Sequence, residues 1–557
     1  MNELNLEILN LFQEKRYSEL IFLIENLNEN KNPKLLNILA VSRLLKEKNQ
    51  QSFLKAISEF KKAYLLQRNE NVGLESLTNF INASVDFYDY LVRQRIEDNK
   101  LNFNEIIKFF EDAKIEFGYR PQLFLSMARL YKRLNDLDKV LYFYNKLYEK
   151  NNLNFNSLSS WIFYNNYKKD WKQEQYLKFS KLLANYASSY ETDKLVPIQN
   201  SGNSKTRLGF LSADIVKKHS VTYFLKTILT NYDKNKFEIY LYINEEYEDE
   251  TTSEFKKLVD KCINIAKLND VDAINKIRKD RIDVAFDLMG ITASNRYTLF
   301  KNKLAKKQIS WLGYCNTLGL NQIDYLIADP NLIYSSEEKL YSEKIIYLKN
   351  IWSCHSGFVF NRNETPSPML RNNFITFGSF NNFSKINNNV VEVWANILKK
   401  IEGSQLILKS SQKKEIENLK TIFKKNNVLN SVLFLENTES FKEHLDLYDK
   451  IDIALDTFPY NGVTTSFEAI WKNVPVITMK GYNFNSRCGE SINKNLGIEE
   501  LIAKNEEDYM NISINLAFNK NKLNNIRKKI FNDALSSPLF NSELFCKNFF
   551  NAIDNLK

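Results

Sequence analysis

Cysteine and histidine are scarce in this chain of 557 residues, with five of the first and three of the second. The cysteines (Cys262, Cys315, Cys354, Cys488, Cys546) are odd in number, far apart and never spaced as CxxC. That excludes a disulfide framework or a cysteine zinc site and suits the reducing cytoplasm. No apolar run is long enough to span a bilayer. The opening stretch MNELNLEILNLFQEKRY has neither a basic segment nor an apolar core, so no secretory signal is expected and the expected compartment is the cytoplasm. The net charge of +10 comes from Lys dispersed among Asp and Glu, without basic blocks, so nucleic acid is not an expected partner. Neither GxGxxG nor GxxxxGK[ST] occurs, and no metal site or cofactor is expected.

What the chain does have is two regimes of hydrophobic periodicity. From residue 1 to about 190 the pattern is a succession of amphipathic helices with almost no strand signal. Ala56, Phe60 and Ala63 in one helical pair, and Phe124, Met127, Ala128, Tyr131 and Tyr144 in another, alternate small residues with aromatic fillers. Small residues let paired helices approach while the aromatics fill the gap to the next pair, as in degenerate tetratricopeptide-like repeats; an irregular bundle is the alternative. Pro197 and Ser201-Gly202-Asn203-Ser204 read as a linker.

From Arg207 short apolar runs alternate with helical segments: LGFLSAD, FEIYLYI, DVAFDLM, QISWLGY, DYLIADP and KIIYLKN. After a loop-like stretch at 361–368 a second series follows: NFITFGSF, SQLILKS, VLFLEN, DIALDTF and VPVITM. The alternation predicts two doubly wound, Rossmann-like α/β domains, at 205–362 and 368–557, behind an α-helical repeat region at 1–190. Their ligand site is expected at the carboxyl ends of the strands.

The stretch at 452–481 is the most informative. Ile453–Leu455 reads as a buried strand ending at Asp456, followed by the turn Pro459-Tyr460-Asn461-Gly462 and a helix opened by Thr464 and Thr465, with Glu468 close behind. A strand, a glycine-containing turn and a helix start direct backbone N–H groups and a helix dipole at one spot, where a phosphate is held well. The plain structural alternative is an ordinary turn and N-cap of a βαβ unit. Lys385, in the loop after the first strand of the second series, is a compact charge suited to a diphosphate. His444 precedes the strand at Asp452 and is either a ring for a base to stack on or a half-buried histidine. Asp214 and His219 follow the first strand of the first series and are either a proton relay or a strand-end cap and a surface histidine. His355 reads as structural.

Three stretches together, ITFGSFNNFSKI, HLDLYDKIDIALDTFPYNGVTTSFEAIWKNVPVITMKG and SRCGESINKNLGIEELIAKNEEDY, resemble the catalytic region of the O-linked N-acetylglucosamine transferases, glycosyltransferase family 41. RLGFLSAD…HSVTYFL, DVAFDLMGITASNR and QISWLGYCNTLGLNQIDYLIADP resemble the same family's first catalytic subdomain. The resemblance covers roughly residues 205–557. It implies a GT-B fold and inverting, metal-independent transfer from a UDP-sugar, GlcNAc or a related hexose, to Ser or Thr of a protein bound partly by the helical repeats. It also implies roles. Lys385 would hold the diphosphate, with Asn382 beside the nucleotide. His444 would pack on the base, and Glu468 would contact the ribose. Asn461, Gly462, Thr464 and Thr465 would surround the phosphates, and Gly313 would line the sugar pocket. Asp214 and His219 would lie beside the transferring sugar, with Asp214 in the proton path. Val463 and Tyr460 stand where relatives have His and a small Cys, and Ile291 replaces an aromatic or His, so the donor is less constrained than the fold. A GDP-fucose donor, Asn-linked glucosyl transfer and a non-catalytic repeat scaffold are the alternatives.

Overall fold

The computed structural model describes residues 3–27, 32–68, 70–94, 96, 101–202, 204–216, 219–410, 413–436 and 438–556. It divides into two compact units, Met1–Leu153 and Asn154–Lys557. No helix among the described residues is long and apolar enough to cross a membrane.

The first unit is all α among its described residues, with helices at Glu3–Gln13, Tyr17–Glu25, Pro33–Lys46, Gln50–Leu66, Asn71–Gln94, Phe103–Phe117, Pro121–Arg133 and Leu137–Glu149. Most successive helices pack on one another, and the small residues of the pattern are buried among them. Ala56, Ala63 and Ala128 are fully buried, and Phe60 and Met127 fill beside them. Asparagine or aspartate caps four of these helices through a side-chain oxygen on an N3 amide, as at Asn32, Asn49, Asn102 and Asp136.

The second unit opens with two more helices, Phe155–Asn165 and Gln173–Tyr186. Their amphipathic pattern matches that of the preceding helices, yet they pack on the sheets that follow. The Ser159 hydroxyl donates to the Ile291 carbonyl (3.0 Å) and the Ser180 hydroxyl to the Thr317 carbonyl (3.2 Å). Gly319 (φ +68°) leaves room for this contact: a Cβ there would lie 2.1 Å from the Ser180 carbonyl carbon. The described part of the following segment is tied down as it runs along the first sheet, with the Val196 amide donating to Asn275 (2.7 Å) and the Ser201 amide to Asp283 (3.0 Å). Asn203 of the expected linker lies outside the described residues.

Two parallel sheets follow. The first contains β1 (Thr206–Ser212), β2 (Phe237–Ile243), β3 (Lys261–Asn264), β4 (Val284–Asp287), β5 (Lys307–Ser310), β6 (Tyr325–Ala328) and β7 (Lys344–Tyr347) in the order β3-β2-β1-β4-β5-β6-β7. The second contains β8 (Thr376–Ser379), β9 (Gln405–Lys409), β10 (Val432–Leu435), β11 (Ile453–Leu455), β12 (Val476–Met479) and β13 (Ile502–Ala503) in the order β10-β9-β8-β11-β12-β13. The central strands are buried throughout, which is why they read as continuous apolar runs. β3 and β13 are additions to the expected strands. β3 is a half-exposed edge of sequence KCIN, and β13 has two residues, so neither carries a hydrophobic run.

The stretch at 361–368 is a loop, anchored by Arg362, whose guanidinium donates to the Phe531 carbonyl (2.8 Å), the Trp471 carbonyl (3.0 Å) and Asn473 (2.7 Å). The final helix, Ser542–Asp554, returns to the first sheet, where Phe549 packs on Trp311 and Phe550 on Phe237. Both sheets therefore share one hydrophobic core. His355 sits inside it, stacked on Tyr223 and Phe467, with Nδ1 accepting from the Gly357 amide (3.0 Å). Burial lowers its pKa to about 3, so the ring is neutral.

Candidate functional site

In each sheet the chain winds outward from a central strand and then returns to its other side: β1 to β4 in the first, β8 to β11 in the second. The loops after these pairs diverge and leave a crevice at the carboxyl ends of the strands. A small recess in the second sheet lies there, lined by Ser379, Phe380, Tyr448, Asp456 and Thr465 among others.

Asp456, at the end of β11, organises this crevice. Its side chain is buried and accepts from the amides of Thr457 (2.8 Å) and Gly462 (2.7 Å) and from the Thr478 hydroxyl (2.7 Å). Burial raises its pKa to about 6 despite these bonds and the nearby Lys385. The turn at 457–462 is thus drawn back over the strand end. Gly462 allows it, since a Cβ would lie 2.7 Å from the Thr465 hydroxyl and 2.8 Å from the Asn381 side-chain oxygen. Asn461 is wholly buried and pins the turn further: its Nδ2 donates to the Thr457 carbonyl (2.9 Å) and its Oδ1 accepts from the Gly489 amide (3.2 Å).

The turn delivers the helix Thr464–Trp471. Its N-cap is Val463, which has no side-chain oxygen, and no side chain caps the first amides. Thr464 and Thr465 occupy the first two helical positions, and the Thr465 hydroxyl bonds to Asn381 (3.0 Å). Other helices of this chain begin at an asparagine or aspartate that satisfies those amides, as at Asn387 and Asn505. Here the amides and the positive end of the dipole face the crevice, an arrangement that favours an anion.

Lys385 reaches the same turn. Its Nζ donates to the Asn461 carbonyl (2.8 Å) and lies 4.6 Å from the ring centroid of Tyr460. Burial lowers its pKa and the carboxylate of Asp456 opposes that shift. Asn382 stands apart from this cluster: it is exposed and caps its own short 3-10 turn through the Ser384 amide (2.9 Å).

His444 and Glu468 form a second cluster one turn further along the same helix. Nε2 of His444 lies 3.0 Å from Glu468 Oε2, and Nδ1 lies 2.8 Å from Nζ of Lys409. An ammonium only donates, so Nδ1 accepts and Nε2 carries the proton given to Glu468. The Tyr448 hydroxyl donates to the same carboxylate oxygen (2.9 Å). The His444 ring therefore has a fixed tautomer and orientation, next to Phe380.

The first sheet contributes Asp214 and His219. His219 is the N-cap of the helix Ser220–Thr230, its Nδ1 accepting weakly from the Val221 amide (3.4 Å), and its Nε2 is 3.8 Å from Asp214. Asp214 is half-buried, and burial raises its pKa while a charge on His219 would lower it. Of the two structural alternatives, the helix cap is the histidine and not the aspartate. Gly313 lies against the backbone after β4, where a Cβ would be 1.8 Å from the Leu288 carbonyl oxygen, so its position is dictated by close packing.

The structure thus gathers Lys385, Asn461, Gly462, Thr464 and Thr465 at one spot, pairs His444 with Glu468, and pairs Asp214 with His219. The sequence reading had no functional place for Asp456, Lys409, Tyr448 or Asn381. Asp456 carried one signal, an aspartate ending a buried strand six residues before a turn glycine. The others are ordinary letters whose partners lie 17 to 84 residues away.

Two doubly wound domains with an anion-ready helix start in the cleft define a GT-B fold. The chain belongs to glycosyl transferase family 41, whose family model matches residues 177–360 and 361–549. It is 32% identical over 392 residues, 68% of its length, to a protein of Solanum lycopersicum described as a "Probable UDP-N-acetylglucosamine--peptide N-acetylglucosaminyltransferase SPINDLY", and covers 40% of that protein. An Arabidopsis thaliana protein with the same description except for the name SEC is 26% identical over 369 residues, 63% of this chain and 37% of its own length. The chain spans about two-fifths of the length of these relatives. Among solved structures, a lysine-to-methionine mutant of Thermobaculum terrenum O-GlcNAc transferase superimposes with a TM-score of 0.79 at 20% identity, covering 95% of this chain and 98% of the other, which shows the shared fold.

Proposed function

We propose that this chain transfers a sugar from a UDP-sugar, GlcNAc or a related hexose, to Ser or Thr hydroxyls of a protein, with inversion and without a metal. The observation that carries this reading is the convergence of the Lys385 ammonium and the uncapped amides at Thr464 on one point of the cleft. A diphosphate placed there receives a point charge and a helix dipole together. Both strengthen as charge develops on the leaving UDP, which is the electrostatic term expected to dominate. Family membership supports the transfer chemistry, and the descriptions of the relatives support a UDP-sugar and a protein acceptor.

In this mechanism His444, held in one tautomer by Lys409 and Glu468, presents its ring to the base. Glu468 is buried, and its Oε2 already accepts from Tyr448 and His444, so its contribution to the ribose side is made largely through that ring. The acceptor hydroxyl attacks the anomeric carbon in line. Its proton leaves toward Asp214, which burial makes a better base than an exposed aspartate. The acceptor protein is held in part by the helical unit, and the reaction takes place in the cytoplasm.

Proton NMR of slow donor hydrolysis without acceptor tests the chemistry. An α-linked UDP-sugar should release the β-anomer first, at the same rate with and without a chelator. Initial release of the α-anomer, or loss of turnover on chelation, contradicts the mechanism, and turnover of GDP-fucose alone contradicts the donor.

A further inference from the structure

The turn after the helix Phe155–Asn165 enters the donor cleft. Asn166 is 1% exposed, and its amide donates to the carbonyls of Ile162 (3.1 Å) and Phe163 (2.9 Å). Its oxygen accepts from Asn316 of the first sheet (3.4 Å) and from Asn485 of the second. With Asn166 fixed between the sheets, the next residue has little freedom. The Tyr167 carbonyl accepts from Asn387 Nδ2 (3.1 Å), and its ring lies 5.3 Å from that of Tyr460. On its other side Tyr167 packs on Phe163 (5.8 Å), and Phe163 packs on Tyr314 (6.3 Å). One aromatic row therefore crosses the cleft from the loop after β11 to the loop after β5, and Lys385 sits at its Tyr460 end.

We propose that Tyr167 is a specificity-determining residue for the donor sugar, backing Tyr460 so that a UDP-hexose is accepted in preference to a UDP-N-acetylhexosamine. This rests on the UDP-sugar reading above. A diphosphate on Lys385 lies beside the Tyr460 ring, so the sugar joined to its distal phosphate meets this row. Tyr460 alone could turn aside, being half-buried. Tyr167 is 7% exposed and held at both its carbonyl and its neighbour, so the ring behind Tyr460 does not recede. An acetamido group in place of a hydroxyl then has to be packed against filled space, which disfavours it.

The test is calorimetric titration of full-length wild type, Tyr167→Ala and Tyr167→Phe with UDP, UDP-glucose and UDP-N-acetylglucosamine. Wild type should bind UDP-glucose at least about tenfold more tightly than UDP-N-acetylglucosamine. Tyr167→Ala should bring the two within about twofold while leaving UDP itself unchanged, and Tyr167→Phe should keep the wild-type ratio, because the wall acts by shape. Tyr460→Ala opens the wall from its exposed side and should shift the ratio the same way, which covers the case of an unstable Tyr167→Ala. Binding of UDP by all variants with one unchanged ratio overturns the proposal and leaves the donor reading standing. Wild-type preference for UDP-N-acetylglucosamine also overturns it. Failure of wild type to bind UDP overturns both.

Discussion

Replacing Asp456 by asparagine should change the pH dependence of stability with a sign fixed by burial. The carboxyl is 1% exposed and its pKa rises from 3.8 to about 6 in the folded chain. Between these values the native state binds more protons than the unfolded chain, so stability is lost as pH rises from about 4 to about 6 and is level above that. From pH 5 to pH 8 the ionisation of this one group removes about 1.4 kcal/mol. The asparagine side chain does not ionise. The stability of Asp456→Asn relative to wild type should therefore improve by about 1.4 kcal/mol between pH 5 and pH 8, whatever the fixed cost of the lost acceptor. Asp287 and Asp329, also buried with pKa values of about 6, are common to both proteins and cancel. The assay is urea unfolding followed by tryptophan fluorescence, which reads the second unit alone because all six tryptophans lie beyond residue 153. A difference that is flat with pH, or that moves in favour of wild type between pH 5 and pH 8, refutes the argument that burial outweighs the hydrogen bonds to this carboxylate.

Three further outcomes follow from the geometry. Gly313→Ala forces a Cβ to within 1.8 Å of the Leu288 carbonyl oxygen and should destabilise the second unit by about 3 kcal/mol or more in the same unfolding assay. Lys409→Met removes the donor to His444 Nδ1, leaves the ring held only through its Nε2–H to Glu468, and should weaken UDP about fivefold by calorimetry with little change in melting temperature. Arg487→Met breaks a two-point pair with Glu337 (2.5 and 2.8 Å) that joins the two sheets and strips that carboxylate of its guanidinium partner, which should cost about 2–4 kcal/mol in urea unfolding.

The two doubly wound domains were legible because parallel strands buried on both faces leave continuous apolar runs, as in β1, β8 and β11. β3 and β13 were hidden because an edge strand and a two-residue strand leave none. The helices Phe155–Asn165 and Gln173–Tyr186 read as a continuation of the repeats, since amphipathic periodicity reports that a face is buried but not against what. In the structure that face meets Ile291, Thr317 and Gly319. The turn and helix start proposed to hold phosphate could be read from local chain order, since Asp456, Gly462 and Thr464 lie within nine residues. The amides of Asn166, Asn316 and Asn485 could not, because they meet across separations of 150 and 319 residues with no pattern linking them. The ring of His444 was visible as a candidate, whereas its pairing with Glu468 and with Lys409, a residue indistinguishable in sequence from any other lysine, was not.

The cleft is expected to hold a nucleoside diphosphate on Lys385 and the helix start at Thr464, which calorimetric titration with UDP of the wild-type chain and of Lys385→Ala tests. The structure predicts clear binding by wild type and a loss of about tenfold or more in Lys385→Ala, as expected for one charge-assisted contact. Equal affinity in the two proteins, or no binding of UDP by wild type, would contradict it.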